Sequence, residues 1–325
     1  MARVLIAGCG YVGSALGERL TRAGLPGAGG PGTGHSVWGL RREAAGLPGG
    51  VQPFIADLCN NKSLQNIPTD LDFVFYMAAA AASTEAAYRA AYIEGLGNCL
   101  TALKSRNQNL KRFFLISSTA VYGQDTGEWV DEDSPTEGSP AGATGGSPSY
   151  GFRGRIMREA EALAMGSGFP AVVVRFGGIY GPGRTRFMER ALRGDFLDSA
   201  ANVRWGNRIH RDDCAGALHH IMDLNQAKLI YCVVDTEPAP QAEVARWLYE
   251  RHVALKGTPA GGLPGSVQPA TIIRQEGTSG DDRDILPAGM RGKRCSNRRI
   301  RAAGYLFRYP TYQEGYGALL TSGGN

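Results

Sequence analysis

Gly8, Gly10 and Gly13 form a G-x-G-x-x-G turn that carries Tyr11 and Val12 within it. The chemistry such a turn serves is diphosphate binding. Its first glycine allows the tight turn, its second lets backbone come up against a pyrophosphate, and its third lets a helix pack closely on a strand. Unpaired N–H groups and the positive dipole end at the helix start then hold the phosphates. The spacing carries weight only in context. Here the apolar run Val4-Leu5-Ile6-Ala7 reads as a buried strand before the turn, and residues 14–23 have helical apolar spacing after it. A dinucleotide is the expected ligand.

A second strand over 36–40 ends on Arg41-Arg42, where such a fold faces the adenosine ribose. An acidic residue there would bind the ribose 2′-hydroxyl, and that strand end has none. The planar fork of arginine suits a phosphate, so NADP is the expected cofactor in preference to NAD. A third strand at 51–56 ends on Asp57-Leu58, and a fourth at 72–76 ends on Met77-Ala78-Ala79. Asp57 is a candidate partner for the adenine amino group, or else a helix cap. Leu58 stands beside it, and Ala78 and Ala79 would let the cofactor pass closely.

These residues need a scaffold of strands. Further strands are expected at 112–116, 172–175 and 229–233, and helices at 84–105, 214–224 and 241–255. Alternating strands and helices call for an α/β architecture, a doubly wound parallel sheet with its ligand crevice at the carboxyl ends. A chain of 325 residues suits one large domain or a domain plus a smaller lobe. No apolar run approaches the ~20 residues of a membrane helix. The strand that begins at once speaks against a cleavable signal peptide. The net charge of +5 favours anionic ligands only weakly. Six scattered cysteines without a C-x-x-C pair suit buried thiols in a reducing compartment, so a cytoplasmic location and no metal site are expected.

Several later segments fall into one order with the glycine turn. They are Gly95-Leu96-Gly97-Asn98, Ser117-Ser118-Thr119-Ala120-Val121-Tyr122-Gly123, the run 175–183 and Arg208-Ile209-His210-Arg211-Asp212-Asp213. Together they resemble the extended short-chain dehydrogenases/reductases and the NAD-dependent epimerase/dehydratase family. The C-terminal run 309–315 is similar to the atypical YeeZ-like bacterial branch. The resemblance implies a Rossmann domain over 1–178, to which 203–233 returns, and a small C-terminal substrate lobe from 179–202 and 234–325. It implies an oxidoreductase or epimerase that exchanges hydride with a small hydroxyl or carbonyl substrate, and a homodimer joined through long helices.

The family's chemistry uses a Ser or Thr, a Tyr, and a Lys four residues after the Tyr. The lysine cation favours the phenolate and lowers the tyrosine pKa. Motif matching places these roles on Ser118 and Tyr150, and the lysine position is then Gly154. Arg153 shares a helix face with Tyr150 and is the candidate substitute. If the helix is aligned by Glu159 instead, Arg155 takes the lysine position and Gly151 the tyrosine position. Either register loses part of the pair, and Tyr92 stands where the family has an Asn. The YeeZ-like branch also lacks the pair. Two readings follow: an enzyme using Ser118, Tyr150 and Arg153, or a non-catalytic NADP-binding sensor or regulatory protein.

In the second half, Arg184 and Arg186 are candidates to clamp an anionic substrate. Asp212 or Asp213 reads as a helix N-cap, with His210 structural. The basic run 291–301 lacks interleaved aromatics and a nucleic-acid module, so it reads as a solvated, partly salt-bridged surface. Neither a nucleic acid nor a membrane is expected as partner. The Gly-, Pro- or Ser-rich stretches 24–34, 137–148, 257–264 and 275–284 read as loops.

Overall fold

Each of the seven apolar runs becomes a strand of one sheet. The computed structural model describes residues 1–22, 34–136, 148–194, 204–256 and 291–322, with backbone alone at 148–150. Apart from Gly34 and the backbone of Pro148, the four expected loops lie outside the described residues. Strand β1 (Arg3–Ala7) is followed by α1 (Tyr11–Thr21), β2 (Ser36–Arg41), β3 (Val51–Ile55) and β4 (Phe73–Tyr76). Next come α2 (Glu85–Arg89), a π-helical turn at Ala90–Glu94, α3 (Gly95–Ser105), β5 (Arg112–Ser118) and β6 (Thr126–Val130). Then follow α4 (Pro148–Met165), β7 (Ala171–Phe176), β8 (Gly178–Tyr180), α5 (Arg186–Leu192), β9 (Trp205–Gly206) and β10 (Arg208–His210). The remainder is α6 (Arg211–Asp223), β11 (Ile230–Val233), β12 (Ala239–Pro240), α7 (Gln241–Lys256), β13 (Gly292–Cys295), α8 (Arg298–Ala302) and α9 (Tyr312–Ser322).

The sheet order is β11-β7-β5-β4-β1-β2-β3, with every neighbour parallel. The chain reverses its direction across the sheet between β1 and β4, which opens a crevice at their carboxyl ends. Parallel strands covered on both faces are buried throughout, and all four residues of β4 are. On one face Leu16 and Leu20 of α1 join Leu218 and Ile221 of α6 over Ile6 and Phe114. On the other, Leu100 and Leu103 of α3 join Ala160 of α4 over Leu5 and Phe113. Each fully buried Leu or Phe contributes roughly 1.5–3 kcal/mol.

The expected single helix over 84–105 is interrupted at Ala90–Glu94. The Tyr76 hydroxyl donates to the Ala91 carbonyl, and a Cβ at Gly95 would stand 2.8 Å from that hydroxyl. A phenol inserted into the ladder widens the turn there.

Two local expectations are corrected. The N-cap of α6 is His210, whose Nδ1 accepts from the Asp212 N–H at 3.2 Å. Asp213 is unavailable for capping because it ties down the C-terminal segment, accepting from the Tyr305 hydroxyl (2.9 Å) and the backbone N–H of Arg308 (2.7 Å) and Tyr309 (2.9 Å). The basic run around β13 is a solvated, salt-bridged surface only in part: Arg298 and Arg301 are exposed and Arg299 pairs with Asp133 at 2.6 Å, but Lys293 and Arg294 turn inward. Lys293 Nζ donates to the Tyr122 carbonyl at 2.6 Å, and Arg294 Nε to the Gly127 carbonyl at 2.7 Å. The Arg294 guanidinium lies over Trp129 and Trp205. Lys293 and Arg294 are drawn inward because β13 pairs with β6.

A further apolar core gathers Tyr180, Val244, Leu248, Tyr316 and Leu319 from β8, α7 and α9. Beside it Asp235 is only 1% exposed, and neither carboxylate oxygen has a hydrogen-bond partner among the described residues. Burial pushes its pKa from 3.8 to about 8, against the pull of Arg208. The folded protein therefore holds a proton that the unfolded chain has released, so stability falls as pH rises between these two values. Asp235→Asn is expected to flatten that slope and to raise the unfolding midpoint above pH 8, measured by thermal melts across pH.

Candidate cofactor cleft and active site

A cleft of about 880 Å³ runs along the carboxyl ends of the sheet, lined by residues 8–13 at its centre. The three glycines of that turn answer different demands. Gly8 has φ +93°, and a Cβ on it would stand 2.6 Å from the backbone nitrogen of Ala78. A Cβ on Gly13 would stand 3.0 Å from both Ile6 Cγ2 and Met77 Sδ, so strand and helix meet there. A Cβ on Gly10 would meet the Gly8 carbonyl oxygen at 3.9 Å and nothing nearer among the described residues. A side chain at that position would be in contact with no close neighbour among the described residues, and the space lies in the cleft. A diphosphate approaching the backbone at the start of α1 fits the vacant side.

One end of the cleft is lined by Arg41, Arg42, Glu43, Asp57 and Leu58. Arg41 is half-buried, with its guanidinium beside Gly46, and Arg42 is exposed. Neither makes an ion pair among the described residues. Asp57 uses Oδ1 to accept from the Cys59 N–H at 2.9 Å, and the Leu58 carbonyl accepts from Asn98 Nδ2. Ala78 and Ala79 line the cleft too, with the Ala78 backbone packed against Gly8 of the glycine turn. Cys9, inside the turn, is fully buried, and burial pushes its thiol up to about 11.

At the other end stand Ser117, Ser118, Tyr92, Met157, Phe176, Gly177 and Ile179. Ser118 Oγ accepts from the Ala120 N–H at 3.2 Å, leaving its hydroxyl hydrogen for a ligand. Behind it lies a buried network. Ser117 Oγ donates to Glu161 Oε1 at 2.6 Å, and Arg175 holds both oxygens of Glu161 through Nε (3.0 Å) and Nη2 (2.7 Å). Arg175 Nη1 also donates to the Tyr122 hydroxyl at 3.1 Å. Burial drives the Tyr122 phenol far above its ordinary pKa although Arg175 opposes this, so Tyr122 does not ionise near neutral pH.

The structure places the tyrosine–lysine candidates as follows. Tyr150 is in the first turn of α4, and its side chain lies outside the described residues. At Gly154 a Cβ would stand 2.6 Å from the Ala120 carbonyl, so the contact with that turn leaves no room for a lysine. Arg155 is turned to Glu85, with which it pairs at the surface. The Arg153 guanidinium lies over Tyr88 at 5.6 Å, and its Nε is buried with no hydrogen-bond partner among the described residues. Among the described side chains of α4, the one that lines the cleft is Met157, which sequence reasoning did not single out. Tyr92 lines it too, with its phenol pushed up to about 12 by burial and by Tyr88.

The model of the NAD-dependent epimerase/dehydratase family matches residues 4–231. The chain belongs to that family. A structure described as an NAD-dependent epimerase/dehydratase from Methylobacillus flagellatus is 34% identical, covers 100% of this chain and 99% of that one, and has a TM-score of 0.71. The UDP-glucose 4-epimerase of Thermus thermophilus, solved with NAD, shares the fold at 21% identity, covering 98% of each chain with a TM-score of 0.65. A Streptomyces protein, 3-diazoavenalumate denitrifying reductase, is 24% identical over 283 residues, 83% of this chain and 87% of its own. Within the described residues of this epimerase/dehydratase family member, no cluster of His, Cys, Asp or Glu could hold a metal ion. No helix there is long and apolar enough to cross a membrane.

The glycine geometry separates packing from ligand contact. Gly8→Ala is expected to destabilise the fold by about 1–3 kcal/mol through backbone strain. Gly10→Ala should leave the thermal midpoint nearly unchanged yet weaken dinucleotide binding by about tenfold, or ~1.4 kcal/mol, in a fluorescence titration.

Proposed function

We propose that the protein is an NADP-dependent oxidoreductase or epimerase of the extended short-chain type. It acts on a small hydroxyl or carbonyl substrate, with an anionic group favoured by the cationic rim. The observation that carries this reading is the glycine turn, whose Gly10 faces open cleft rather than protein. Arg41 and Arg42 at the end of β2 support NADP over NAD, since both guanidiniums lack a carboxylate partner among the described residues. The cofactor supplies hydride exchange at its nicotinamide. Ser118 donates a hydrogen bond to the substrate oxygen and orients it. Tyr150 exchanges a proton with that oxygen, and Arg153 takes the place of the lysine cation by swinging off Tyr88. Asp57 and Leu58 receive the adenine, and Ala78 and Ala79 give close passage past the cofactor. The reductase name of the Streptomyces relative supports the reductive direction.

The same reading assigns the apolar core around Tyr180 and α7 to a substrate lobe built from 179–202 and 234–325. Within that span, Ile300 and Tyr305 pack back into the core beneath the sheet. A homodimer through the long helices and a cytoplasmic location belong to this reading as well. All six cysteines are free, as a reducing compartment would keep them.

A second reading has its own support. Met157 lines the cleft and Gly154 has no room for lysine, which favours a non-catalytic NADP-binding sensor. Two measurements divide the cases. NADPH is expected to bind more tightly than NADH, with Arg41→Ala removing about tenfold for NADPH alone, ~1.4 kcal/mol. Equal affinities would overturn the 2′-phosphate assignment. NADPH oxidation against a panel of small carbonyl compounds should show turnover that Tyr150→Phe lowers about a hundredfold, within the usual range for one acid–base group. Tight NADPH binding with no turnover would establish the sensor reading instead.

A further inference from the structure

The rim of the cleft carries a cation that the hydride exchange proposed above does not use. Arg184 follows the loop 181–183 and lines the cleft together with Gly10 and Tyr11. Its guanidinium carbon is 4.8 Å from the centre of the Tyr11 ring, and Tyr11 is the first residue of α1. A second guanidinium, that of Arg211, lies 5.3 Å from the same ring. The two are not equivalent. Arg211 is paired with Asp212 at 3.1 Å, and Asp212 also takes Arg308 at 3.3 Å. Arg184 is exposed and has no ion pair among the described residues.

The loop that bears Arg184 is fixed to the same tyrosine. The Tyr11 hydroxyl donates to the Pro182 carbonyl at 2.9 Å, and the Arg184 N–H donates to the Gly181 carbonyl at 2.9 Å. At Gly181 φ is +146°, and a Cβ would stand 2.8 Å from the Tyr11 hydroxyl, so the loop lies tightly against the ring. A guanidinium resting on an aromatic face keeps its edge N–H donors available for a planar, two-point grip on phosphate oxygens. Holding it in place beforehand reduces the ordering cost of binding.

We propose that Arg184 is a diphosphate clamp: from its seat on Tyr11 it closes over the diphosphate bridge of a dinucleotide lying at the start of α1. The proposal rests on the dinucleotide reading above and adds a side-chain grip to the backbone one. It also moves Arg184 away from a role in holding a substrate anion. The clamp acts on what NAD, NADP and ADP-ribose share, and is blind to both the 2′-phosphate and the nicotinamide.

Calorimetric titration of the full chain with ADP-ribose, NADPH, NADH and adenosine tests this. Arg184→Ala should weaken the three diphosphate ligands by a common factor of about ten or more, the scale of a charge-assisted hydrogen bond. Adenosine, which has no phosphate, should bind as it does to the unaltered protein. Arg184→Lys should fall between, keeping the charge but losing the fork, and high salt should narrow the gap between alanine variant and parent. Unchanged ADP-ribose affinity in Arg184→Ala would overturn the clamp, and would leave the arginine to a substrate anion. A parallel loss of adenosine would overturn it too, because the arginine would then be supporting the site's shape. If the unaltered protein ignores ADP-ribose and both dinucleotides, the dinucleotide reading fails and takes the clamp with it.

Discussion

Glu161 and Arg175 face each other with side chains only 4% and 3% exposed, and this pair sets the geometry of the end of the cleft that holds Ser117 and Ser118. Removing two charges from water costs several kcal/mol per ion, which only a near-complete set of hydrogen bonds can offset. Here both carboxylate oxygens are occupied by Arg175, and Ser117 adds a third donor. The arrangement leaves α4 little freedom to rotate about its axis or slide along β5 and β7. The face that α4 turns toward the sheet ends is therefore fixed from within the core, at a distance from any ligand.

That fixed face explains why the cleft differs at its two ends. Four residues before Glu161 comes Met157, one turn along the same side of the helix, and it is Met157 that lines the cleft. Gly154 comes one further turn along and rests against the Ala120 carbonyl. The helix thus brings an apolar thioether and a bare backbone to that end of the cleft. The opposite end is polar and cationic, with Arg41 and Arg42 at the strand edge.

Most of the scaffold was legible in the sequence. Buried parallel strands read as short continuous apolar runs, and runs such as 73–76 and 113–116 gave themselves away for that reason. The glycine turn was legible because its demands are local: a positive φ at Gly8 and a close helix at Gly13. What stayed hidden depended on partners far along the chain. The rotation of α4 follows from Glu161 meeting Arg175 and Ser117, the latter 44 residues away, and no periodicity signals it. Asp213 resembled a cap until its true partners emerged at residues 305–309. Lys293 and Arg294 read as surface cations because composition alone does not reveal that carbonyls and two tryptophans await them. The break at 90–94 has the same origin, since it answers to the Tyr76 hydroxyl.

The pairing of β13 with β6 has a consequence for how the chain is made. Gly292 donates its N–H to Asp125 across 167 residues, and Ile300 and Tyr305 complete the core beneath the sheet. A ribosome delivering the nucleotide-binding half first releases a domain with a missing wall, its apolar floor still wet. Those contacts wait until residues 292–305 have emerged, and closing them is a long-range step that carries the entropy cost of a long loop.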